Sequence, residues 1–145
     1  MKCAAEFVYR DRVRYSDCDM HAHLNHARFF SFMEQARVGY LEAIGLPPGP
    51  RRETIPFIIV HAACDYRAPA LINEEIAIAI GVTEIGRTSL TMEYQLTRIS
   101  DATLLATAKT VMVSFDYQTM QPMAVPQDLR DRIVELKRRA GVTLP

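Results

Sequence analysis

The side chains best suited to chemistry lie in one short segment, residues 15–30, which reads YSDCDMHAHLNHARFF. The segment holds two aspartates, a cysteine, an asparagine and three of the chain's four histidines. Carboxylates and imidazoles serve as general acids, general bases and metal ligands, and a thiolate serves as a nucleophile. Three kinds of site are therefore open: a cysteine nucleophile, a metal site, and a carboxylate that acts beside the start of a helix.

A cysteine nucleophile is the least favoured of the three. Cys18 lies between Asp17 and Asp19, and neighbouring carboxylates raise the pKa of a thiol and reduce its thiolate fraction. A metal site is the second alternative, because Asp and His are suitable ligands and a His-x-His spacing can place two imidazoles on one side of an extended chain. His61 is the one histidine outside the segment, so no second ligand cluster supports a metal.

The third kind of site depends on the helix that follows. Apolar residues at helical spacing predict a helix over residues 26–44, with Asn25 as its N-cap and Gly45 at its end. Backbone N–H groups of the first turn have no partner within the helix, and a carbonyl oxygen placed there is stabilised as it gains negative charge. If the loop folds back over this end, Asp19 can attack the carbonyl carbon or activate water to do so.

The elements that must position these residues are mostly strands. Alternating or continuous apolar runs predict strands over residues 6–17, 57–69, 75–85, 89–97 and 104–117, and residues 126–141 predict a second, amphipathic helix. Short connections favour a meander of antiparallel strands. The sheet has an apolar face to cover and the first helix has an apolar stripe to bury, which predicts an α+β fold with the sheet wrapped around that helix. We expect one domain over residues 1–145.

Composition restricts the function classes. Lys+Arg and Asp+Glu both number 17, so the net charge is zero, which argues against a nucleic-acid-binding protein. No apolar run approaches the roughly 20 residues of a membrane-spanning helix, and the N-terminus becomes charged too early for a signal peptide. The three cysteines form no CxxC pair, which argues against a disulfide framework. We therefore expect a cytoplasmic protein with no nucleic-acid or membrane partner.

Three segments of the chain resemble the 4-hydroxybenzoyl-CoA thioesterase family, which has the hotdog fold. They read DCDMHAHLNHARFFSFMEQAR, CDYRAPA and IGRTSLTMEYQL, within roughly residues 8–117. The first segment carries the family's paired aspartates, its loop and its helix, here Asp17-Cys18-Asp19, His23-Leu24-Asn25-His26 and Glu34-Gln35-Ala36-Arg37. Many members have glycine where this chain has Ala22. The resemblance implies a hotdog fold, in which an antiparallel sheet wraps around a long central helix, with a C-terminal helix added here.

The resemblance also implies a function. Such enzymes hydrolyse acyl-CoA thioesters without a metal or other cofactor, at a site between two subunits of a homodimer or homotetramer. Asp19 is then the nucleophile or general base, and a backbone N–H near His26 polarises the thioester carbonyl. Asn25 and His23 are further candidates in the loop, and Glu34 is a reserve acid on the helix.

Other residues complete the candidate site. His61 is expected to share a strand face with Ile59, where it either lines the acyl pocket or is a hydrogen-bonded histidine of the core. The CoA phosphates and pantetheine are expected to meet four residues of two later segments, namely Arg67, Arg87, Thr88 and Ser89. Asp17 is expected to hold loop N–H groups or an arginine, and Glu34 to pair with Arg37.

Two other functions are compatible with the same residues. One is a hydratase or dehydratase of acyl thioesters, in which Asp19 would work with His23 or His26. The other is an acyl-CoA-binding module without catalysis.

Overall fold

One antiparallel sheet and two helices account for the described chain. The computed structural model describes residues 5–46 and 57–142. Its elements are β1 (Phe7–Arg12), a 3-10 turn (Tyr15–Asp17), α1 (Arg28–Ala43), β2 (Phe57–Tyr66), β3 (Glu75–Ile85), β4 (Ser89–Arg98), β5 (Leu104–Asp116), β6 (Gln121–Pro122) and α2 (Gln127–Arg139). The predicted elements are all present, and the two-residue β6 is an addition. The Pro- and Gly-rich segment after α1 falls mostly outside the described residues.

The strand order corrects the predicted meander. The sheet runs β1-β3-β4-β5-β2, and β6 pairs with β5. β3, β4 and β5 follow one another as predicted, but β2 pairs with β5 instead of β3. β1 and β2 are therefore the two edges of the sheet. Alternation within a strand predicts its faces and leaves its neighbours undetermined, because the same apolar face can be buried in several strand orders.

Helix α1 buries the predicted stripe. Its six stripe residues are at most 5% exposed, namely Phe29, Phe32, Met33, Ala36, Tyr40 and Ile44. The helix ends where the sequence predicted, since Gly45 has a φ of 85°, a left-handed conformation that glycine adopts without strain. The Leu46 N–H donates to the Leu41 carbonyl at 2.8 Å, and the Gly45 N–H donates to the Glu42 carbonyl at 2.9 Å. These two bonds form a Schellman motif, which satisfies carbonyls that the helix end would leave unpaired.

The sheet offers α1 a continuous apolar face. Ile78 pairs with Leu96 and Ile80 pairs with Tyr94, and all four side chains are at most 1% exposed. Side chains that pair directly across antiparallel strands lie on one face, so this face joins the stripe of α1 in a single core. Burial of each large side chain contributes roughly 1.5–3 kcal/mol, which makes this face the main source of stability. The α+β class and the sheet wrapped around the first helix are confirmed.

A bulge in β2 overturns the face predicted for His61. Ile59 pairs with Met112 and His61 pairs with Val111, so Val60 is the extra residue of the bulge. Met112 and Val111 are consecutive in β5 and point to opposite faces. Ile59 therefore lies on the face of α1, and His61 lies, exposed, on the face away from it.

Helix α2 is anchored by a buried ion pair. The Lys137 ammonium pairs with the Glu6 carboxylate and also donates to the Val82 carbonyl, and the side chains of Lys137 and Glu6 are 5% and 0% exposed. The Tyr40 hydroxyl donates to the other Glu6 oxygen at 2.6 Å. Burial, with the adjacent Glu6 charge, raises the pKa of Tyr40 well above its ordinary value. This network joins α2, α1 and the segment before β1.

Among the described residues, neither helix has the length and apolar character needed to span a bilayer.

Removal of Lys137 should therefore be costly. We expect Lys137→Met to lower the free energy of unfolding by about 3–5 kcal/mol, because it leaves the buried Glu6 charge and the Val82 carbonyl without their partner. Urea denaturation measures this loss. The double variant Glu6→Gln/Lys137→Met should recover most of it, since no buried charge remains. Arg139→Met, which removes an exposed partner of Glu135, should cost about 0–1 kcal/mol. Equal losses for Lys137→Met and Arg139→Met would contradict the buried network.

Candidate active site

The predicted loop is a short hairpin that returns to the start of α1. The Asn25 N–H donates to the Asp17 carbonyl at 2.9 Å, and the Asp19 N–H donates to the His23 carbonyl at 2.9 Å. These two bonds form a small antiparallel ladder, with a turn at its tip. The loop folds back as expected. Asp17 lies directly beside Asn25 at the helix start, and Asp19 lies two residues further along the hairpin, opposite His23.

The hairpin is fastened to the chain between β2 and β3. The Leu24 N–H donates to the Ala70 carbonyl at 2.7 Å, and His23 forms an isolated bridge with Leu71. Ala70 is completely buried. The CDYRAPA segment thus has a definite task, because its last residue holds the outer side of the hairpin.

The tip of the hairpin contains a residue in an unfavourable conformation. Ala22 has a φ of 59°, in the left-handed region where a Cβ atom is costly. Its N–H donates to the Asp19 carbonyl at 3.0 Å, which closes the turn. A glycine, which the resemblance leads us to expect here, would adopt this conformation without strain. The alanine keeps the same turn at the expense of local strain.

Asp19 lines a cavity at this hairpin. The side chain is half-buried, and its Oδ1 accepts the His21 N–H at 2.9 Å, which orients the carboxylate. The cavity has a volume of about 570 Å³, and its other lining residues are Tyr15, Ser16, Cys18, Met20, Ala22 and Ile72.

The sequence did not identify Tyr15, Met20 and Ile72 as part of the cavity. The predicted strand over residues 6–17 includes Tyr15. Tyr15 is 83% exposed, because β1 ends at Arg12 and a 3-10 turn follows. The exposed apolar side chains of these three residues mark the cavity only in the folded chain, so the sequence offered no signal for them.

Among the described residues, the His26 N–H is an unpartnered backbone donor at the helix start. The Asn25 side chain accepts the Ala27 N–H at 2.9 Å and so closes a turn just before the helix. The regular helix begins at Arg28 with Ala27 as its N-cap, so the prediction of Asn25 as the N-cap is wrong by two residues. The Asn25 carbonyl accepts the Arg28 N–H at 2.9 Å. Within residues 5–46 and 57–142, the His26 N–H has no hydrogen-bond partner. A carbonyl oxygen could occupy that position, at the positive end of the helix. The side chains of His23 and His26 are both exposed.

Asp17 has the supporting role that the sequence predicted, and Cys18 is again disfavoured as a nucleophile. Asp17 is 8% exposed, and its Oδ2 accepts the Arg14 N–H at 2.9 Å with the Arg14 guanidinium at 3.8 Å. Burial, and then the charges of Asp17 and Asp19, raise the pKa of the Cys18 thiol above its ordinary value. The thiol is therefore protonated near neutral pH, which disfavours it as a nucleophile.

The predicted pair of Glu34 with Arg37 is wrong. Glu34 is exposed on α1, whereas the Arg37 guanidinium is half-buried and donates to the Tyr94 hydroxyl at 3.2 Å. The Tyr94 hydroxyl is also 2.9 Å from the Thr110 hydroxyl. Spacing along the helix permitted the pair, but Arg37 turns toward polar groups of the sheet that the spacing did not reveal.

One chain does not bring the predicted CoA-binding residues together. The Arg67 N–H donates to the Leu105 carbonyl, near the end of β2 that approaches the hairpin. Ser89 pairs with Val113, which is eight positions beyond Leu105 in β5. Arg87 and Thr88 lie in the turn just before Ser89. At about 3.4 Å per residue, Arg67 and Ser89 lie roughly 27 Å apart along the sheet. His61 lies between them on the face away from α1.

No metal centre is formed by the part of the chain that the structure describes. In that part, no three His, Cys, Asp or Glu side chains are grouped so that they could hold a metal ion. His21 and His23 are neighbours, with ring centroids 6.4 Å apart, but both are exposed.

Comparison with known proteins identifies the family. The model of the Thioesterase-like superfamily matches residues 13–133. The chain belongs to this superfamily. A thioesterase from Thermus thermophilus, solved in complex with coenzyme A and Zn, is 30% identical, with a TM-score of 0.82 over 96% of this chain and 98% of that one.

Two curated relatives cover most of the chain as well. Acyl-CoA thioesterase YbgC of Haemophilus influenzae is 28% identical over 90% of this chain and 96% of its own length. Long-chain acyl-CoA thioesterase FadM of Escherichia coli is 25% identical over 86% of this chain and 95% of its own length. These matches confirm the predicted hotdog fold and the predicted enzyme class, a thioester hydrolase. The narrower resemblance to 4-hydroxybenzoyl-CoA thioesterases stays a prediction.

The left-handed residue at the hairpin tip gives a stability test. We expect Ala22→Gly to raise the free energy of unfolding by about 1 kcal/mol, because glycine removes the clash of Cβ at positive φ. Ala102→Gly, at a φ of 58° in the turn between β4 and β5, should give a similar gain. Ala43→Gly, in the last turn of α1, should instead lose about 0.5–1 kcal/mol. Urea denaturation compares the three, and a loss for Ala22→Gly would contradict the hairpin geometry.

Proposed function

We propose that this superfamily member is an acyl-CoA thioesterase, which cleaves an acyl-CoA to the free acid and CoA with Asp19 as its essential carboxylate. One observation carries the proposal: the hairpin returns the Asp19 segment to a helix start that offers the unpartnered N–H of His26. A carboxylate and a polarising donor are the two groups that acyl transfer requires. Relatives named as acyl-CoA thioesterases support the substrate class.

Each group has a distinct part in the proposed reaction. The thioester carbonyl oxygen accepts a hydrogen bond from the His26 N–H. In one route, Asp19 removes a proton from a water molecule while the oxygen of that water attacks the carbonyl carbon. In the other route, the Asp19 carboxylate attacks the carbonyl carbon to form an anhydride, which water then hydrolyses. The C–S bond breaks and CoA leaves as a thiolate, which then takes up a proton. A thioester suits this small set of groups, since its carbonyl has little resonance stabilisation and its thiolate leaves readily.

We also propose that residues 1–145 form one domain and that two copies pair through β2. The single core of the described residues supports one domain. Strand β2 has ten residues with no second neighbour in the described sheet, and Ile59 and Val60 are 43% and 55% exposed on it. A long apolar edge of this kind is a template for pairing with another strand.

Such a pairing would complete the substrate site. Two-fold symmetry makes the two β2 strands antiparallel, so each end of one sheet lies beside the opposite end of the other. The Arg87–Ser89 turn of the second copy would then lie toward Arg67 and the hairpin of the first. The residues that one chain separates by roughly 27 Å would thus meet across the interface.

The carboxylate is tested by a change that keeps its shape. We expect Asp19→Asn to lower kcat/KM by about 100-fold or more, because the amide can neither take a proton nor attack a carbonyl. Free-thiol release measures turnover with short, medium, long and aromatic acyl-CoAs. The Glu34→Gln variant tests the reserve acid in the same assay. Asp131→Asn, on the exposed surface of α2, is the matched control and should retain full activity.

Other outcomes of the same assay would point to other functions. Acyl-CoA bound without turnover in the wild type would indicate a binding module. Addition of water to an enoyl-CoA would indicate a hydratase. Equal rates for wild type and Asp19→Asn would move the chemistry to Glu34 or the histidines.

The interface is tested with a pair of edge valines. We expect Val60→Lys to convert the dimer to a monomer, because it places a charge on the proposed β2 junction. Val8→Lys is the matched control, since Val8 is 48% exposed on β1, the opposite edge of the same sheet. Sedimentation equilibrium gives the mass of each variant. A dimer that survives Val60→Lys and dissociates with Val8→Lys would place the interface at β1.

A further inference from the structure

Tyr66, the last residue of β2, reaches across to the start of α1. Its hydroxyl donates to the His26 carbonyl at 2.7 Å. Its ring packs edge-on against Phe29, with ring centroids 5.0 Å apart, and Phe29 is 3% exposed in the core. The contact therefore joins the edge strand of the sheet to the non-helical turn that precedes α1.

This hydrogen bond completes the anchoring of two successive peptide groups. The group between His26 and Ala27 is held at both ends, because Tyr66 binds its carbonyl and the Asn25 side chain binds its N–H at 2.9 Å. The group between Asn25 and His26 is held at its carbonyl, which accepts the Arg28 N–H at 2.9 Å. In a planar trans peptide the C=O and N–H point in opposite directions. The His26 N–H must therefore point away from the first turn.

We propose that Tyr66 is a positioning residue. Its bond to the His26 carbonyl fixes the peptide group that follows His26, and so limits reorientation of the adjoining group, whose N–H meets the thioester carbonyl. The inference rests on the proposed function. A donor that is oriented before the reaction stabilises a developing oxyanion better than one that must reorient, and helix ends otherwise fray.

The hydroxyl of Tyr66, rather than burial of its ring, explains why a tyrosine suits this position. Tyr66 is 45% exposed, so burial of the ring does not by itself account for a tyrosine here. Partial burial, and then the neighbouring Cys64, raise the pKa of Tyr66 above its ordinary value. The phenol therefore keeps its proton at neutral pH and remains a donor to the carbonyl.

The substitution Tyr66→Phe separates the hydrogen bond from the packing. We expect kcat to fall by about ten-fold while KM stays within about two-fold, since the lost orientation matters most when the oxyanion forms. The ring contact with Phe29 is kept, so the thermal unfolding midpoint should change little. Tyr117→Phe is the matched control: the Tyr117 hydroxyl donates to the Phe57 carbonyl at 3.4 Å, and its loss should leave kcat unchanged.

Hydrogen exchange at the Ala27 amide gives a second readout that needs no turnover. In Tyr66→Phe this exchange should accelerate by about ten-fold, because one anchor of its peptide group is lost. An unchanged kcat, a rise in KM alone, or an equal loss of kcat in Tyr117→Phe would each overturn the positioning role. If the wild type turned over no acyl-CoA, the proposed function would fail, and the exchange rate alone would then decide. Faster exchange in Tyr66→Phe would support Tyr66 as an anchor of the His26–Ala27 peptide group, and unchanged exchange would contradict it.

Discussion

The burial of one face of α1 against one face of the sheet is the constraint on which the other features depend. Phe32 and Met33 on the helix and Ile78 and Tyr94 on the sheet are almost fully buried in the same core. Because the helix can bury its stripe in only one rotational setting, its ends have fixed positions relative to the sheet. The start of α1 consequently lies where Tyr66, at the end of β2, can contact it. The position of a polar site thus follows from apolar packing.

The site itself is assembled from backbone groups more than from side chains. Carbonyls of Asp17 and His23 close the hairpin ladder, and the carbonyl of Ala70 fastens it to the following segment. Few side chains are needed once these bonds are made, which agrees with the modest chemical demands of a thioester. The left-handed Ala22 shows that the turn geometry is maintained even where the residue type does not favour it.

A single chain presents only part of what the proposed substrate requires. The cavity beside Asp19 is open, the CoA-binding candidates lie at two ends of the sheet, and β2 exposes an apolar edge. These three features share one explanation if a second copy continues the sheet. An edge strand that would be a liability in a monomer then becomes the means of bringing distant residues together.

Elements whose residues repeat with a regular period were predictable from the sequence alone. The stripe of α1, its end at Gly45, and the alternation of β3 and β4 are local properties, because a helix or a strand presents its faces at fixed intervals. The functional segment was equally visible, since its polar side chains stand between two apolar elements. Asp17 also has the predicted contacts, with a loop N–H and with the guanidinium of Arg14.

Which elements are neighbours and which groups meet is visible only in the folded chain. The bulge at Val60 reverses the face of His61, the position of β2 beside β5 is not encoded in its own alternation, and Lys137 is buried although its helix ends in basic residues. Arg37 turns to Tyr94, and Tyr66 reaches His26, across 57 and 40 positions of sequence. The periodicity of a sequence predicts which residues share a face of one helix or strand, and it does not predict the neighbours of that element. Contacts between elements depend on the competition among all the faces that must be buried at once, and that competition is resolved only in the folded chain.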